Sequence, residues 1–308
     1  MLRRLALAAC ALTGVPLAIA WVISERAIHP RPKAEDHDLS DFDLPAREVS
    51  FPSRDGMALA GWFIAPPAAN APTPGVVLSH GHGRSRAELL PHAGFLHRAG
   101  FALLAFDYRH RGGSEGDAVT MGVREQDDLL GAIDELARHP EVDGDRVAVL
   151  GVSMGSVVAI LAAARDERVR ALVVEAPYAT YDAIMTRALR HFYHLPSFPI
   201  APLAKWVVER RLGYPLDHAQ PVAEVHRISP RPVFFITDEQ DAVIGHEEAA
   251  RLFDAAGEPK RYWLIANAGH ARGWQAAPEE YERRVVSFFR EALTIRGDIA
   301  GRVQMQAP

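Results

Sequence analysis

Gly151-Val152-Ser153-Met154-Gly155 reads G-x-S-x-G, and the residues on either side of it decide the fold. Arg146-Val147-Ala148-Val149-Leu150 precedes it, a short run rich in β-branched residues, as a buried parallel strand should be. Ser156-Val157-Val158-Ala159-Ile160-Leu161 follows and continues through Ala162-Ala163-Ala164, apolar and rich in good helix formers. A serine between two glycines at a strand-to-helix junction is what a nucleophile elbow needs. The turn is so tight that flanking side chains would collide, and it lifts the Ser153 hydroxyl clear of the sheet. A Gly/Ser-rich turn without chemistry fits the five residues as well. The strand before and the helix after favour the elbow.

Working outward, the chain keeps a regular alternation. Strand-like runs at 48–51 and 57–64 are joined by Ser53-Arg54-Asp55-Gly56, and Asp-Gly between two such runs signals a hairpin. A Pro/Ala-rich loop leads to a short buried strand, Gly75-Val76-Val77-Leu78-Ser79. A helix over 85–99, a strand over 101–106 and a helix over 123–138 follow; the last sets Leu129, Leu130, Ile133 and Leu136 along one face. Beyond the elbow, strands are predicted at 171–174, 233–236 and 261–265, with helices at 246–256 and 278–293. This predicts an α/β domain over 47–295, a mostly parallel doubly wound sheet opened by an antiparallel hairpin. Residues 178–229 interrupt the rhythm with helix-like pieces and Pro196, Pro199 and Pro202, and read as a cap or lid over the strand ends. The plainer reading is a crossover helix with decorated loops. Residues 296–308 read as a tail.

Ser153 needs a base to take its proton and an acid to orient that base. In a domain of this kind the order is Ser, acid, His. Asp241 follows the strand at 233–236, within Asp238-Glu239-Gln240-Asp241-Ala242-Val243-Ile244, and His270 follows the last strand in Asn267-Ala268-Gly269-His270. Both lie just past strand C-termini, where open parallel sheets carry their sites. Asp238 and Glu239 compete for the acid's role; Asp241 is preferred because apolar residues follow it and would bury its carboxylate against an imidazole. His270 stands out among 14 histidines by its position after the final strand. An oxyanion hole needs backbone N–H donors. Met154 supplies one, and His82, in the loop His80-Gly81-His82-Gly83, the other. His80 and His82 also spell an H-x-H metal pair, but no companion carboxylate or cysteine cluster supports it, so neither metal nor organic cofactor is implied. Asp107-Tyr108-Arg109 and the turn after it read as a structural loop.

The 308-residue chain is 48% hydrophobic and 24% charged, so a sizeable core is expected. A net charge of −5, with no basic block, argues against nucleic acid as a partner. Cys10 is the single cysteine, which excludes an intrachain disulfide framework. Met1-Leu2-Arg3-Arg4 precedes a nearly unbroken apolar run over 5–23, about the length that spans a bilayer. A retained signal anchor is the preferred reading, with the arginines held in the cytoplasm. A signal peptide cleaved after Ala18-Ile19-Ala20 is the second, and a lipoprotein site at Cys10 is disfavoured by the short stretch before it. Either main reading puts the domain at or beyond the cytoplasmic membrane, with the membrane as a partner. Residues 24–46, polar and proline-bearing, read as a linker that stands the domain off it.

From residue 48 to 293 the chain resembles the α/β-hydrolases. The likeness rests on the hairpin with Asp55-Gly56, the His80–Gly83 loop, Asp107-Tyr108-Arg109 with Gly112 and Ser114, the elbow, Asp241 and Gly269-His270. It is most similar to bacterial serine-aminopeptidase-like and Bem46-like hydrolases. Four residues depart from that pattern: His110 and Arg111 in the Arg-Gly-His-Gly loop, Asp238 where glycine is usual, and Ser156 where a further glycine is frequent. The resemblance implies a serine hydrolase acting on a small-molecule ester or related acyl substrate, with Ser153, His270 and Asp241 as triad and Met154 and His82 as oxyanion donors. Phe192, Tyr193, Phe198 and Trp206 of the insertion are expected to line an acyl pocket. A peptidase, an acyltransferase and a non-catalytic binding protein on the same fold are the alternatives.

Overall fold

The computed structural model describes residues 2–67 and 71–294; the tail read over 296–308 lies outside the described residues. The predicted hairpin forms from β1 (Ala46–Pro52) and β2 (Ala58–Ile64), which pair antiparallel. Gly56 makes the turn with φ +91°, a left-handed conformation that glycine adopts without a Cβ clash. β3 (Thr73–Ser79), α2 (Leu90–Arg98), β4 (Ala102–Phe106), α3 (Glu125–Leu136), β5 (Val142–Val152), α4 (Met154–Arg165) and β6 (Val169–Glu175) follow in alternation. After the insertion come β7 (Val233–Asp238), α8 (His246–Ala255) and β8 (Lys260–Ile265). The eight strands lie in the order β1-β2-β4-β3-β5-β6-β7-β8, parallel from β4 onward.

Period-two alternation splits the core in two. Val77, Leu104, Val149 and Leu172 pack on one face against Leu129 and Ile133 of α3, Val158 and Ile160 of α4, and Leu252 of α8. Val76, Leu78, Leu103, Leu150 and Val173 pack on the other, against Ala93 and Leu96 of α2 and Val285 and Phe289 near the C-terminus. Strands covered on both faces must be apolar throughout, which is why β4 and the second half of β5 show no alternation in sequence.

The insertion holds α5 (Tyr181–Tyr193), α6 (Ile200–Leu212) and the short α7 (Pro221–Glu224). The Thr180 hydroxyl caps α5 by accepting from the Ala183 N–H, and Gly213, at φ +81°, ends α6. A four-residue helix, α9 (Gly273–Ala276), and α10 (Pro278–Thr294) complete the domain.

The N-terminal segment is arranged differently from its prediction. Helix α1 (Leu2–Ile28) packs against the insertion: Ala20, Ile23 and Ile28 share one buried core with Tyr181, Met185 and Leu189 of α5 and Ala204, Val207 and Val208 of α6. Glu25 pairs with Arg211 at 2.5 Å. Among the described residues no helix is long and apolar enough to cross a membrane. The segment expected as a spacer over 24–46 instead lies along the domain. Its Ile28 and Pro30 carbonyls accept from the Val119 N–H and Arg111, each at 2.8 Å, and the Ala34 carbonyl accepts from Arg84 at 2.6 Å. Helix α1 therefore joins α5 and α6 in making the cap.

Candidate active site

Ser153 sits between β5 and α4 with φ 54° and ψ −119°, a conformation disfavoured for a residue with a Cβ and of the kind that clusters at functional turns. Its neighbours explain the glycines. A Cβ on Gly151 would lie 2.6 Å from the Gly155 carbonyl oxygen, and one on Gly155 would lie 2.0 Å from that of Ser79. The turn is pinned from outside by the Ser153 N–H donating to the Glu175 carbonyl at 2.9 Å. Ser156, one of the departures noted above, hydrogen-bonds the Gly151 and Glu175 carbonyls at 2.6 and 2.7 Å, so its hydroxyl braces the elbow.

Two loops bring His270 and Asp241 to Ser153. His270 Nε2 lies 3.1 Å from Ser153 Oγ, and His270 Nδ1 lies 2.7 Å from Asp241 Oδ2. The other Asp241 oxygen accepts from the Val243 and Ile244 N–H groups at 2.8 and 2.9 Å. Burial acts to raise the Asp241 pKa, but the His270 hydrogen bond and charge, with those two N–H donors, outweigh it and hold the carboxyl below its ordinary value. An ionised, fixed carboxylate on Nδ1 leaves Nε2 as the acceptor facing Ser153. Of the two rivals, Glu239 accepts from the Asn267 N–H, away from the imidazole.

Asp238 has a different task that sequence reasoning missed. It is fully buried, and its Oδ2 accepts from the Ala271 N–H at 2.8 Å, next to His270. Glu175, also buried, accepts from the Gly273 N–H at 2.9 Å and from the Tyr281 hydroxyl at 2.6 Å. The two carboxyls thus hold both ends of the histidine loop. Desolvation and the nearby charges of Glu175 and Asp241 push the Asp238 pKa up to about 8. Burial likewise raises Glu175, against the pull of Tyr281 and Gly273.

On the opposite side, Met154 is the first residue of α4, where helical N–H groups have no partner within the helix. His82 lines the same pocket as Ser153 and Met154, while the neighbouring Gly81 N–H is occupied by Glu88 at 2.6 Å. The side chains of this loop look elsewhere. His80 accepts from the Tyr108 N–H through Nε2 at 3.1 Å and donates through Nδ1 to the Gly81 carbonyl at 2.8 Å. Burial lowers its pKa to about 4, so it is a neutral ring with both nitrogens occupied. His82 Nε2 donates to the Ala27 carbonyl of α1 at 2.8 Å.

The pocket over Ser153 has a volume of about 260 Å³. Met154, Tyr178, Ile184, Met185 and Val243 make an apolar wall, and Lys33, Glu35, Arg84, Arg272 and Gln275 a polar one. Phe192 and Tyr193 line it as expected, but Phe198 and Trp206 do not; they face outward, 79% and 50% exposed. Their place at the start and on the outer side of α6 turns them from the cavity. The Asp107 loop is structural as read: Asp107 accepts from the Arg86 and Gly113 N–H groups, and Arg109 is clamped between Asp55 and Asp128.

Residues 70–212 match the family model described as serine aminopeptidase, S33. The chain is 32% identical over 270 residues to the uncharacterised protein Rv2307c of Mycobacterium tuberculosis, covering 86% of each chain. It is 27% identical to the polyketide transferase ATR5 of Stachybotrys chlorohalonatus over 272 residues, 74% of this chain and 90% of that one. Among solved structures it is similar to the Pyrococcus furiosus esterase PF2001, with a TM-score of 0.72, 26% identity, and 87% and 98% of the two chains covered.

Proposed function

The chain belongs to the α/β-hydrolase superfamily and is a hydrolase-type enzyme acting on acyl bonds, and from that premise we propose that it cleaves carboxylic esters through an acyl-enzyme on Ser153. The observation that carries the reading is the run of contacts from Ser153 Oγ to His270 Nε2 at 3.1 Å and from His270 Nδ1 to Asp241 at 2.7 Å. Ser153 Oγ attacks the acyl carbon as His270 Nε2 takes its proton, and the ester carbonyl oxygen becomes an oxyanion held by the Met154 and His82 N–H groups. Collapse expels the alcohol, protonated by His270, and leaves the acyl group on Ser153. Water, deprotonated by His270, then attacks that ester and releases the acid. Asp241 stays ionised throughout and stabilises the imidazolium. The esterase likeness supports hydrolysis. The transferase relative supports a second reading in which an alcohol or amine replaces water in the last step.

Labelling with a fluorophosphonate probe tests the mechanism. Wild type is expected to label when folded, and heat-denatured protein and Ser153→Ala are not. Folded wild type that stays unlabelled would remove Ser153 as an activated nucleophile.

A further inference from the structure

We infer that the N-terminal helix is a wall of the substrate pocket and that Ile23 and Ala27 set the length of the acyl chain the enzyme accepts; this rests on the ester-hydrolase reading above. Ile23, Arg26 and Ala27 stand at i, i+3 and i+4, one face of α1, and all three line the cavity over Ser153. The stripe Ile184, Met185, Ala188 and Phe192 of α5, at helical spacing, lines the same cavity. Ile23 is 5% exposed and belongs at once to the pocket lining and to the shared cap core with Met185, Val207 and Val208.

Residues that merely brush a pocket do not select substrates; these are held in place. The Ala27 carbonyl accepts from His82 Nε2 at 2.8 Å, and the next carbonyl, Ile28, accepts from the Val119 N–H at 2.8 Å. Just before them, Glu25 is paired with Arg211 of α6 at 2.5 Å. The helix is therefore tied to the oxyanion loop and to the cap on either side of Ala27. A side chain enlarged at 27 cannot be accommodated by sliding α1 outward without breaking these bonds. It must fill the cavity, and at about 260 Å³ there is little space to spare.

The test uses the full chain with alkyl fluorophosphonates and p-nitrophenyl esters graded from about two to about twelve carbons, a range over which buried chain area grows steadily. Ala27→Leu is expected to move the optimum to shorter chains and lower the long-to-short ratio of kcat/KM at least about tenfold, since each methylene that loses its burial is worth roughly fourfold. Ile23→Val, a conservative change that opens the same wall, is expected to shift the ratio the other way, and circular dichroism checks that both variants are folded. Folded variants whose chain-length profiles for phosphonate labelling and ester cleavage both match wild type would overturn the inference while leaving the hydrolase reading intact. Wild type that reacts with no phosphonate of any length would overturn that reading, and this inference with it.

Discussion

Asp238 and Glu175 are two buried carboxyls under one loop, and their burial gives stability a definite pH dependence. Asp238 Oδ2 has the Ala271 N–H, but its Oδ1 has no hydrogen-bond partner. Burial and the facing carboxyls of Glu175 and Asp241 outweigh the backbone N–H donors, which is why the group keeps its proton to about pH 8. An acid whose folded pKa lies above its unfolded value lends stability that is complete below the unfolded value, near about pH 4, and is lost as pH climbs to the folded one. A carboxamide in its place would keep an oxygen for the Ala271 N–H and would not titrate. Thermal melts should therefore show the Asp238→Asn variant gaining on wild type between about pH 4 and about pH 8, with the gap level above that. Parallel curves across that range would mean that Asp238 is ionised in the folded protein.

At the scale of elements, the sharpest contrast is between two glycines. Gly56 turns the hairpin at φ +91° with open space where a Cβ would go, so Gly56→Ala strains only the backbone, by about 1–2 kcal/mol. Gly155 is pressed against β3, and a Cβ there would stand 2.0 Å from the Ser79 carbonyl oxygen and 2.6 Å from that of His80. The Ser79 oxygen belongs to β3 and cannot yield without disturbing its pairing with β5, so Gly155→Ala is expected to exceed about 3 kcal/mol or to prevent folding. Urea melts of the two variants compare them, and equal losses would show that the elbow has slack. Both glycines announce themselves through the runs that flank them in the chain: Asp55-Gly56 between alternating runs, and G-x-S-x-G between a β-branched run and a helix-forming one. That Asp241 and His270 come together beside Ser153 was legible because each stands shortly after a strand. Helix α1 was not. Val15, Leu17, Trp21 and Val22 on its outer side and Ala20 and Ile23 on its inner side are all apolar, so periodicity could not say which face meets the cap. Nor could composition reveal Asp238 as a brace, since its partners are backbone N–H groups across a loop and a carboxylate of another strand.

Seen whole, the molecule is laced across the face that carries Ser153 by the chain that leads out of α1. The Lys33 N–H donates to the Gly83 carbonyl at 3.2 Å, Glu35 accepts from both the N–H and the hydroxyl of Ser85 at 2.8 Å, and Asp36 pairs with Arg272 at 2.9 Å. The strap thus touches the His80–Gly83 loop and its neighbour Ser85 on one side and the histidine loop on the other. Polar, proline-bearing residues serve this as well as they would serve a free linker, because such a segment satisfies its backbone on loops rather than in a ladder. The ties differ in strength. Asp36 and Arg272 are 53% and 46% exposed, and a surface pair of that kind is worth about 1 kcal/mol or less. Glu35 is far less exposed and gives a charged acceptor to two donors at the N-cap of the turn that carries Glu88, which in turn holds the Gly81 N–H. Loss of charged hydrogen bonds at such a site amounts to about 1.5–3 kcal/mol. Glu35→Ala is therefore expected to lower the melting temperature well beyond Asp36→Ala, to speed amide exchange at Ser85 and Gly81, and to lower kcat while the profile of acyl chain lengths stays set by α1. Asp36→Ala should do none of these measurably. If the two variants behave alike, the strap is a passive covering, and the His80–Gly83 loop is held by Glu88 and the sheet without it.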